Sequence, residues 1–309
     1  MMEKIRYIFN RDINRVKWDY CIEHSINTRI YAMTWYLDIV SEQWDCIVYG
    51  DYKLVFPVVF KSRYFFKKAY SPLFCQQLGF FTDDIDLIND HILISDMVNC
   101  LKRRFQYSVQ FSVTSEISSN IFNALKWRSS LEKRINIELS LNKDYLALYN
   151  SYSLNIKRKL KKNSIQMLSL KEASDVGFFI NRFKKHVGLK VKLNQLHYKI
   201  IYQIMNITIE RGIGKLFIVL NKDSTIIASA FIISFQTRDI LLFNYSDPQF
   251  KRLDAMTFLL DRYINKNASL NKILDFEGSN LDGVKRFYMS FGGLQTLYYL
   301  FSKSFFSNR

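Results

Sequence analysis

The sequence predicts an α/β protein with mixed sheets, divided into two domains at residues 1–150 and 151–309. The chain has 309 residues, enough for two domains of about 150 residues each. Hydrophobic residues make up 49% of it, so each half can bury a core. Segments of period two alternate with segments of period 3.6, which indicates strands mixed with helices. The three prolines and ten glycines exclude collagen-like and low-complexity classes.

The first half begins with an aromatic-rich region that extends to Trp44. Two strands, 46–49 and 53–60, surround a Gly50-Asp51 turn and predict a hairpin. Pro57 indicates that the second strand is an edge strand or carries a bulge. Residues 86–105 form a predicted helix, and the strands 107–113 and 131–141 follow. The apolar face of that helix is formed by Ile88, Ile92, Leu93, Met97 and Leu101.

The second half follows a join at residues 142–163, which contains a short helix and the basic helix SLNIKRKLKKN. The pattern then predicts two helices, three strands, an amphipathic helix, a strand, a helix and a last strand. Their expected bounds are 171–186 and 193–211 for the first two helices, 215–221, 225–235 and 239–246 for the three strands, and 254–267, 272–276, 281–291 and 294–301 for the remaining elements.

The stretch from Asp275 to Gly293, DFEGSNLDGVKRFYMSFGG, carries the densest polar chemistry of the chain. Asp275 and Glu277 are two positions apart, so an extended backbone points both carboxylates to one side. A break of the strand is predicted at Gly278, Ser279 and Asn280. Ligands of α/β proteins bind at such carboxyl ends of strands.

A helix with one apolar stripe follows that break. The apolar residues of this stripe are spaced three or four positions apart: Val284, Phe287, Tyr288 and Phe291. Gly292 and Gly293 end the helix where a left-handed cap is expected. Lys285 and Arg286 therefore lie around the same strand-to-helix junction as the two carboxylates.

The charge balance of 44 basic against 28 acidic residues, a net charge of +16, predicts attraction to a polyanion. A nucleotide pyrophosphate, coenzyme A, RNA and an anionic membrane surface all fit. The basic residues cluster at 157–162 and 61–68, and a solvated surface explains each cluster equally well.

Neither a metal site nor a membrane span is expected. The four cysteines (21, 46, 75 and 100) and the four histidines show no metal-ligand spacing. The N-terminus lacks an apolar signal core, and apolar runs such as 54–60 are too short to span a bilayer. A cytoplasmic protein without stable membrane insertion is predicted.

Three segments resemble bacterial GNAT-like and FemAB-like acyltransferases: SPLFCQQLGFF at 71–81, SYSLNIKRKLKK at 151–162 and the 275–293 stretch. The resemblance implies two GNAT-like (acyl-CoA N-acyltransferase) domains in tandem. GNAT proteins of the ordinary kind transfer an acyl group from acyl-CoA. The FemAB-like branch transfers amino acids from aminoacyl-tRNA to an amine of a peptidoglycan precursor.

The sequence departs from these families at two motifs. The GNAT pyrophosphate loop, Q/R-x-x-G-x-G/A, corresponds here to residues 249–255, which contain no glycine. Lys251 and Arg252, before Ala255, can hold a pyrophosphate by charge, whereas Asp254 opposes it; the alternative, that these residues only cap the helix, is slightly favoured. FemAB relatives have a lysine after an Arg-Phe pair, whereas here Lys285 precedes Arg286.

The chemistry of acyl transfer to an amine assigns roles around the junction. Glu277 or Asp275 can take the proton of the amine, Lys285 or Arg286 can stabilise the oxyanion, and Tyr288 can donate a proton. The alternative is that the two carboxylates only cap the following helix or pair with Lys285 and Arg286.

The remaining candidate residues would bind the donor or the acceptor. Tyr245, at the end of a strand, is a candidate for the donor site. Lys157 and Arg158 on the basic helix would bind an anionic substrate such as a nucleotide-linked precursor or tRNA, and Gln76 and Gln77 would contact the acceptor.

The leading interpretation is a metal-independent transferase that uses acyl-CoA, slightly favoured, or aminoacyl-tRNA. Its amine acceptor would be a cell-envelope precursor or an amino sugar. The alternative is a non-catalytic protein that binds RNA or a membrane surface with the same fold.

Overall fold

The computed structural model describes residues 3–63, 66–105, 108–114, 130–277 and 281–304. The chain forms two compact units. Unit 1 comprises residues 1–135 together with 296–309, and unit 2 comprises residues 136–295. The predicted break of the strand at 278–280 lies outside the described residues.

Unit 1 contains one sheet with the strand order β1-β2-β3-β4-β5-β12. Its strands are β1 (Ile5–Ile8), β2 (Trp44–Tyr49), β3 (Leu54–Arg63), β4 (Phe66–Ala69), β5 (Ser108–Thr114) and β12 (Leu294–Ser304). Its helices are α1 (Arg15–His24), α2 (Thr34–Val40), α3 (Ile85–Asn89) and α4 (His91–Arg104). Neighbouring strands are antiparallel except for β4 and β5.

Aromatic side chains form much of the core of unit 1. Phe111 packs edge-on against Phe56 at a ring distance of 5.1 Å and lies 4.8 Å from Phe301. Met97 and Leu101 of α4 belong to the same core. Ile92 was predicted on this face but is 76% exposed. Asp90 caps α4 through the amide of Ile92, so the helix begins at His91 and Ile92 faces solvent, whereas the next residues, Leu93 and Ile94, are buried.

The hairpin of β2 and β3 forms as predicted, with Cys46 opposite Pro57. However, β3 lies between β2 and β4 and is not an edge strand. The missing N–H of Pro57 is tolerated because Pro57 falls in a local gap in the pairing. On that side Val55 pairs with Phe81, and the pairing with β4 begins only at Phe60.

Unit 2 contains a sheet with the order β6-β11-β10-β9-β8-β7. Its strands are β6 (Ser130–Ser140, of which 136–140 belong to this unit), β7 (Ser169–Ala173), β8 (Gly214–Leu220), β9 (Ile226–Phe235), β10 (Arg238–Ser246) and β11 (Ile273–Asp275). Its helices are α5 (Tyr145–Ser151), α6 (Leu154–Leu160), α7 (Asn163–Gln166), α8 (Val176–Phe183), α9 (Gln195–Glu210), α10 (Ala255–Asn267) and α11 (Asp282–Met289).

Helices cover both faces of this sheet. Thr208 of α9 lies against Gly214, where the hydroxyl leaves no space for a Cβ atom. Tyr263 of α10 packs against Phe217 at a ring distance of 5.5 Å. Gly214 and Phe217 are three positions apart on β8, so they point to opposite faces. The sheet is therefore buried between α9 and α10, which explains why its central strands are almost continuously apolar.

The strands β10 and β11 separate soon after they start. They pair in parallel only from Arg238 to Ile240, opposite 273–275. β10 continues to Ser246 in pairing with β9 on its other side. Among the described residues, the edge of β10 that faces β11 has no strand partner beyond Ile240. The sheet of unit 2 is thus open along the second half of β10.

Two predictions from the sequence, a domain division and a helix, differ from the structure. The division was expected at residue 150, whereas the backbone of β6 already pairs with β11 from Glu138 onward, and β12 returns to pair with β5. The predicted helix 171–186 is a strand, β7, followed by the shorter α8. The five residues of β7 form the edge strand beside β8 and are mostly exposed, so they carry no apolar alternation.

Candidate functional site

The junction after β11 places a carboxyl group in a poorly solvated position. Glu277 has a left-handed backbone with φ +53°, which turns the chain away from the strand. Its amide donates a hydrogen bond of 3.0 Å to the Oδ1 atom of Asp275. Burial raises the pKa of the Glu277 side chain to about 8. This carboxyl group can accept a proton near neutral pH, where an ordinary glutamate is already ionised and a weak base.

Tyr288 of α11 completes this group. It is buried, and its ring stacks on Phe276 with centroids 4.7 Å apart. Asn244 of β10 donates a hydrogen bond of 3.3 Å to its hydroxyl. Burial raises the pKa of Tyr288 to about 12, and the nearby charge of Glu277 contributes to the rise. The hydroxyl is therefore protonated at neutral pH and can donate a proton or a hydrogen bond. Glu277, Tyr288 and Asn244 are here called the junction triad.

Asp275 lies beside the junction triad but belongs to a buried ion-pair network. Its Oδ2 atom accepts from Arg238 at 2.7 Å, and its Oδ1 atom accepts from Asn136 at 2.8 Å. Arg238 also binds Glu138 at 2.7 Å. Burial lowers the pKa of Arg238, but the two carboxylates outweigh it and raise the pKa overall. The side chain of Asp275 thus holds β10 and β11 together and fixes the start of the turn at Glu277.

Two glycines allow α11 to pack close to its neighbours. Gly292 takes the left-handed conformation that the sequence predicted, with φ +83°, but α11 already ends at Met289; a Cβ at Gly292 would meet the hydroxyl of Ser151. A Cβ at Gly293 would lie 2.6 Å from Ile137. These contacts fix the position of α11 and hence of Tyr288.

The other two predicted residues of the junction are more solvated than Tyr288. Lys285 is about a quarter exposed, and its Nζ atom lies 3.6 Å from Asp282, one helical turn away. Arg286 is exposed on α11. Among the described ion pairs, none joins Lys285 or Arg286 to Asp275, whose cation is Arg238.

The predicted donor loop is a 3-10 turn followed by one residue in a left-handed conformation. Lys251 and Arg252 are exposed in a 3-10 turn that spans Pro248–Leu253. Ala255 is buried and begins α10. Between them Asp254 takes a left-handed conformation with φ +52°, a conformation that usually favours glycine. A non-glycine residue therefore makes this left-handed turn.

The carboxylate of Asp254 joins this turn to the basic helix. It binds Lys159 at 2.8 Å and Lys162 at 2.7 Å. Burial acts to raise the pKa of Asp254, but the two lysines outweigh it and lower the pKa overall. Lys159 and Lys162 are thus held beside the N-terminus of α10, although their charges are neutralised by Asp254.

Lys157 and Arg158, the predicted anion-binding residues of α6, do not contact Asp254 in any described ion pair. Lys157 donates to the carbonyl of Asn150 at 2.8 Å and lies over the ring of Tyr149. Arg158 is exposed, and its Nε atom is 3.4 Å from the carbonyl of Leu154.

Tyr245 is not brought together with the junction triad. It follows Asn244 on β10 and so points to the other face of the sheet. There its ring stacks on His186 at 5.6 Å, and burial raises its pKa to about 12. His186 lies 3.6 Å from Asp247.

Gln76 and Gln77 belong to unit 1, whereas the other candidate residues belong to unit 2. Gln77 is buried, accepts from Arg29 at 3.0 Å and donates to Gln76 at 2.8 Å. These contacts stabilise the loop before Phe80.

Sequence reasoning missed Asn244, Arg238 and the pairing role of Asp254. An asparagine within the apolar strand LLFNYS is a usable signal, because a polar side chain in a buried strand requires a partner. Nothing local in the sequence indicates the pairing of Arg238 with Asp275, 37 residues away.

Comparison with solved structures decides the fold. FemX matches with a TM-score of 0.68 over 97% of both chains, at 12% identity. A tandem GNAT protein from the clavulanic acid biosynthesis pathway matches with a TM-score of 0.58 over 99% of this chain and all of that one, at 8% identity. The chain folds as a tandem GNAT protein.

A further structure agrees with the tandem GNAT fold. A GCN5-related N-acetyltransferase from Sphaerobacter thermophilus matches with a TM-score of 0.54, at 9% identity, over 99% of this chain and 97% of that one. No protein-family model and no curated protein matches the sequence.

The described residues offer neither a metal-binding group nor a membrane-spanning helix. No group of three or more histidine, cysteine, aspartate or glutamate side chains in these parts can hold a metal ion. The described helices include none that is long and apolar enough to cross a bilayer.

Proposed function

We propose that this tandem GNAT protein transfers an acyl or aminoacyl group to an amine, with the junction triad as its reaction centre. The proposal rests on one observation: a poorly solvated carboxyl group with a pKa of about 8 lies near a buried, protonated tyrosine at the opening between β10 and β11. Structural ion pairs also shift pKa values, but these shifts are caused chiefly by burial.

Glu277 is the proposed general base. An amine is protonated in water and attacks a carbonyl only after it loses a proton. A carboxylate with an ordinary pKa is too weak a base for this step. The turn at Glu277 removes water from the carboxyl group and so raises its basicity to the range in which it can take that proton.

Tyr288 is the proposed general acid, and Asn244 positions its hydroxyl. When the tetrahedral intermediate collapses, the leaving thiolate or ribose oxygen must gain a proton. The Tyr288 hydroxyl carries one at neutral pH. Asn244 donates to the hydroxyl oxygen, which leaves the tyrosine proton free to point away from the amide.

The open edge of β10 offers a binding mode for the donor or the acceptor. Backbone groups along an open edge can pair with the amides of an extended chain. Both the pantetheine arm of acyl-CoA and a peptide contain such amides. Lys251, Arg252 and the N-terminus of α10 would contribute positive potential for phosphates near that edge. We slightly favour acyl-CoA over aminoacyl-tRNA as the donor, as the GNAT resemblance suggests.

The test measures acyl transfer from either donor to a panel of primary amines. Purified protein is incubated with acetyl-CoA, with CoA release followed over time, and separately with charged tRNA. We expect turnover with one donor and a loss of about 100-fold or more in Glu277→Gln and in Tyr288→Phe. Both variants should keep the circular dichroism spectrum of the parent protein.

Glu172→Gln is the matched control. Glu172 is half-exposed on the edge strand β7, where its carboxylate lies 3.6 Å from Lys215. This variant should keep full activity. Absence of transfer from both donors in the parent protein, or equal activity in Glu277→Gln, would overturn the proposal.

A further inference from the structure

A continuous segment of unit 2, residues 176–209, contains basic residues and no acidic residue. From Val176 to Ile209 the sequence contains six lysines and arginines and no aspartate or glutamate. Five of the six are lysines in or beside the turn between α8 and α9. We call residues 184–199, KKHVGLKVKLNQLHYK, the basic–apolar segment.

Large apolar side chains of the basic–apolar segment point into solvent. Leu189 is 65% exposed, Val191 54% and Leu196 52%. A single exposed leucine is ordinary, but three within eight positions form a patch. Tyr202, one and a half turns along α9 from Leu196, is also half-exposed.

The backbone of the segment is held in place, so this exposure is built into the fold. A π-helical turn spans Lys184–Gly188. The amide of Lys190 donates to Val187 at 2.9 Å, and the amide of Leu193 donates to Gly188 at 2.9 Å. A Cβ at Gly188 would meet the hydroxyl of Tyr198, which shows how closely the turn packs on α9. Its hydrogen-bonded backbone can approach an apolar phase at low cost.

The charged residues of the segment are available to an external anion. Lys185, Lys190, Lys192 and Lys199 are exposed. None of these four forms an ion pair with a described residue. Elsewhere in unit 2, by contrast, Lys159, Lys162 and Lys272 bind carboxylates at 2.7–2.8 Å.

An open groove adjoins the patch between α8 and α9. Its volume is about 630 Å³. Ile180, Leu196 and Tyr202 provide much of its apolar lining, and Lys199 lies at its side. Apolar surface bordered by lysines suits the boundary between phospholipid headgroups and acyl chains.

We propose that the basic–apolar segment docks on an anionic lipid membrane surface. The lysines would bind lipid phosphates, and Leu189, Val191 and Leu196 would enter the headgroup boundary. RNA fits less well, because bases stack on aromatic rings and gain little from leucine and valine. The proposal concerns docking on the surface only and does not depend on the junction triad.

The first experiment is co-sedimentation with phosphatidylcholine vesicles, with and without phosphatidylglycerol. The protein should bind only the anionic vesicles. Leu189→Ser with Val191→Ser keeps every lysine and should weaken vesicle partitioning by about tenfold or more. Lys190→Gln with Lys192→Gln should remove the preference for phosphatidylglycerol.

The matched control moves the same change to unit 1. Val16 is 80% exposed beside Arg15 and Lys17, and Ile92 is 76% exposed. Arg15 and Lys17 bind Asp38 and Asp51, so this surface carries little free positive charge. Val16→Ser with Ile92→Ser should bind vesicles like the parent protein.

A tryptophan probe separates insertion from simple charge attraction. In Leu189→Trp, the tryptophan emission should shift to the blue when anionic vesicles are added. Unchanged partitioning of the serine double variant, or an unshifted tryptophan emission, would overturn the proposal. Loss of vesicle binding on addition of competing RNA would mark the surface as a general polyanion site and would overturn it as well.

These outcomes are independent of catalysis. The serine double variant should transfer acyl groups to a soluble amine, without vesicles, as fast as the parent protein. Failure of the proposed function would leave vesicle binding unaffected, and failure of membrane docking would leave soluble-amine transfer unaffected.

Discussion

At the scale of single residues, Glu277 connects a local backbone conformation to a chemical property. The left-handed turn brings its carboxyl group out of the strand and into poorly solvated surroundings. Two consequences follow from the raised pKa, one for catalysis and one for stability, and they have opposite pH dependence.

The catalytic consequence is a rise of activity with pH. A general base works in its deprotonated form, so we expect kcat/KM to increase with pH and to level off above about pH 8, the pKa of Glu277. The measurement is a pH–rate profile with a donor and an acceptor whose own ionisation is known. A profile that levels off near pH 5 would contradict the assignment.

The stability consequence has the opposite sign. The pKa of Glu277 rises from its ordinary value of 4.5 to about 8, so between these values the folded protein holds a proton that the unfolded chain releases. The free energy of unfolding therefore falls as pH rises through that window. Glu277→Gln should remove this dependence and stabilise the protein at pH 8 by about 2 kcal/mol.

Urea denaturation of the parent protein and Glu277→Gln at pH 5 and pH 8 measures this difference. Glu172→Gln, on exposed β7, should behave like the parent at both pH values. The combination of a more stable and a less active variant would be characteristic of a strained reaction centre.

At the scale of elements, a buried ion-pair network holds three strands of unit 2. Arg238 on β10 binds Asp275 on β11 and Glu138 on β6. Arg238→Met would leave two carboxylates without their cation, so we expect a loss of about 3–5 kcal/mol in the free energy of unfolding. Arg134→Ala, which breaks a more exposed pair with Glu132, should cost less than about 1 kcal/mol.

Chemical denaturation at neutral pH compares the two arginine variants. Equal destabilisation by both would contradict the importance of the buried network. The large effect is expected only for Arg238, because its partners lose their hydration when the sheet forms.

The start of α10 offers a change that should strengthen binding. Asp254 neutralises Lys159 and Lys162 at the place where the donor phosphates are proposed to bind. Asp254→Asn keeps a residue type that tolerates the left-handed conformation but releases both lysines. We expect affinity for CoA to rise by about tenfold, since an amide replaces an opposing charge.

A thermal-shift titration with CoA at low and moderate salt measures that affinity. Lys251→Gln should lower it, because Lys251 is an exposed cation of the same turn. An unchanged affinity in Asp254→Asn would show that the phosphates bind elsewhere.

At the scale of the whole molecule, the regular pattern of unit 2 could be predicted from the sequence, but its contacts could not. The expected strands 215–221, 225–235 and 239–246 correspond closely to β8, β9 and β10, since long apolar runs have a clear period. The change of period at 273–289 located β11 and α11 for the same reason. β7 was missed because a short, polar edge strand resembles the start of a helix.

The candidate site was predictable only where its residues are close in sequence. Glu277 and Tyr288 lie on one strand-to-helix segment, which the periodicity reveals. Asn244 and Arg238 reach that segment through the parallel start of β10 and β11. Side chains that meet through sheet pairing leave no signal in the local sequence, and the resemblance to known proteins implied two tandem domains but not these contacts.

The return of β12 to the sheet of unit 1 has a consequence for synthesis on the ribosome. Among the described residues, β5 pairs with β12 over seven positions but with β4 at only one. Until the last strand has left the exit tunnel, β5 would lack its main partner, while residues 136–295 are already available to fold. We therefore expect unit 2 to mature first and unit 1 to depend on chaperones for longer, with β5 as its most aggregation-prone strand.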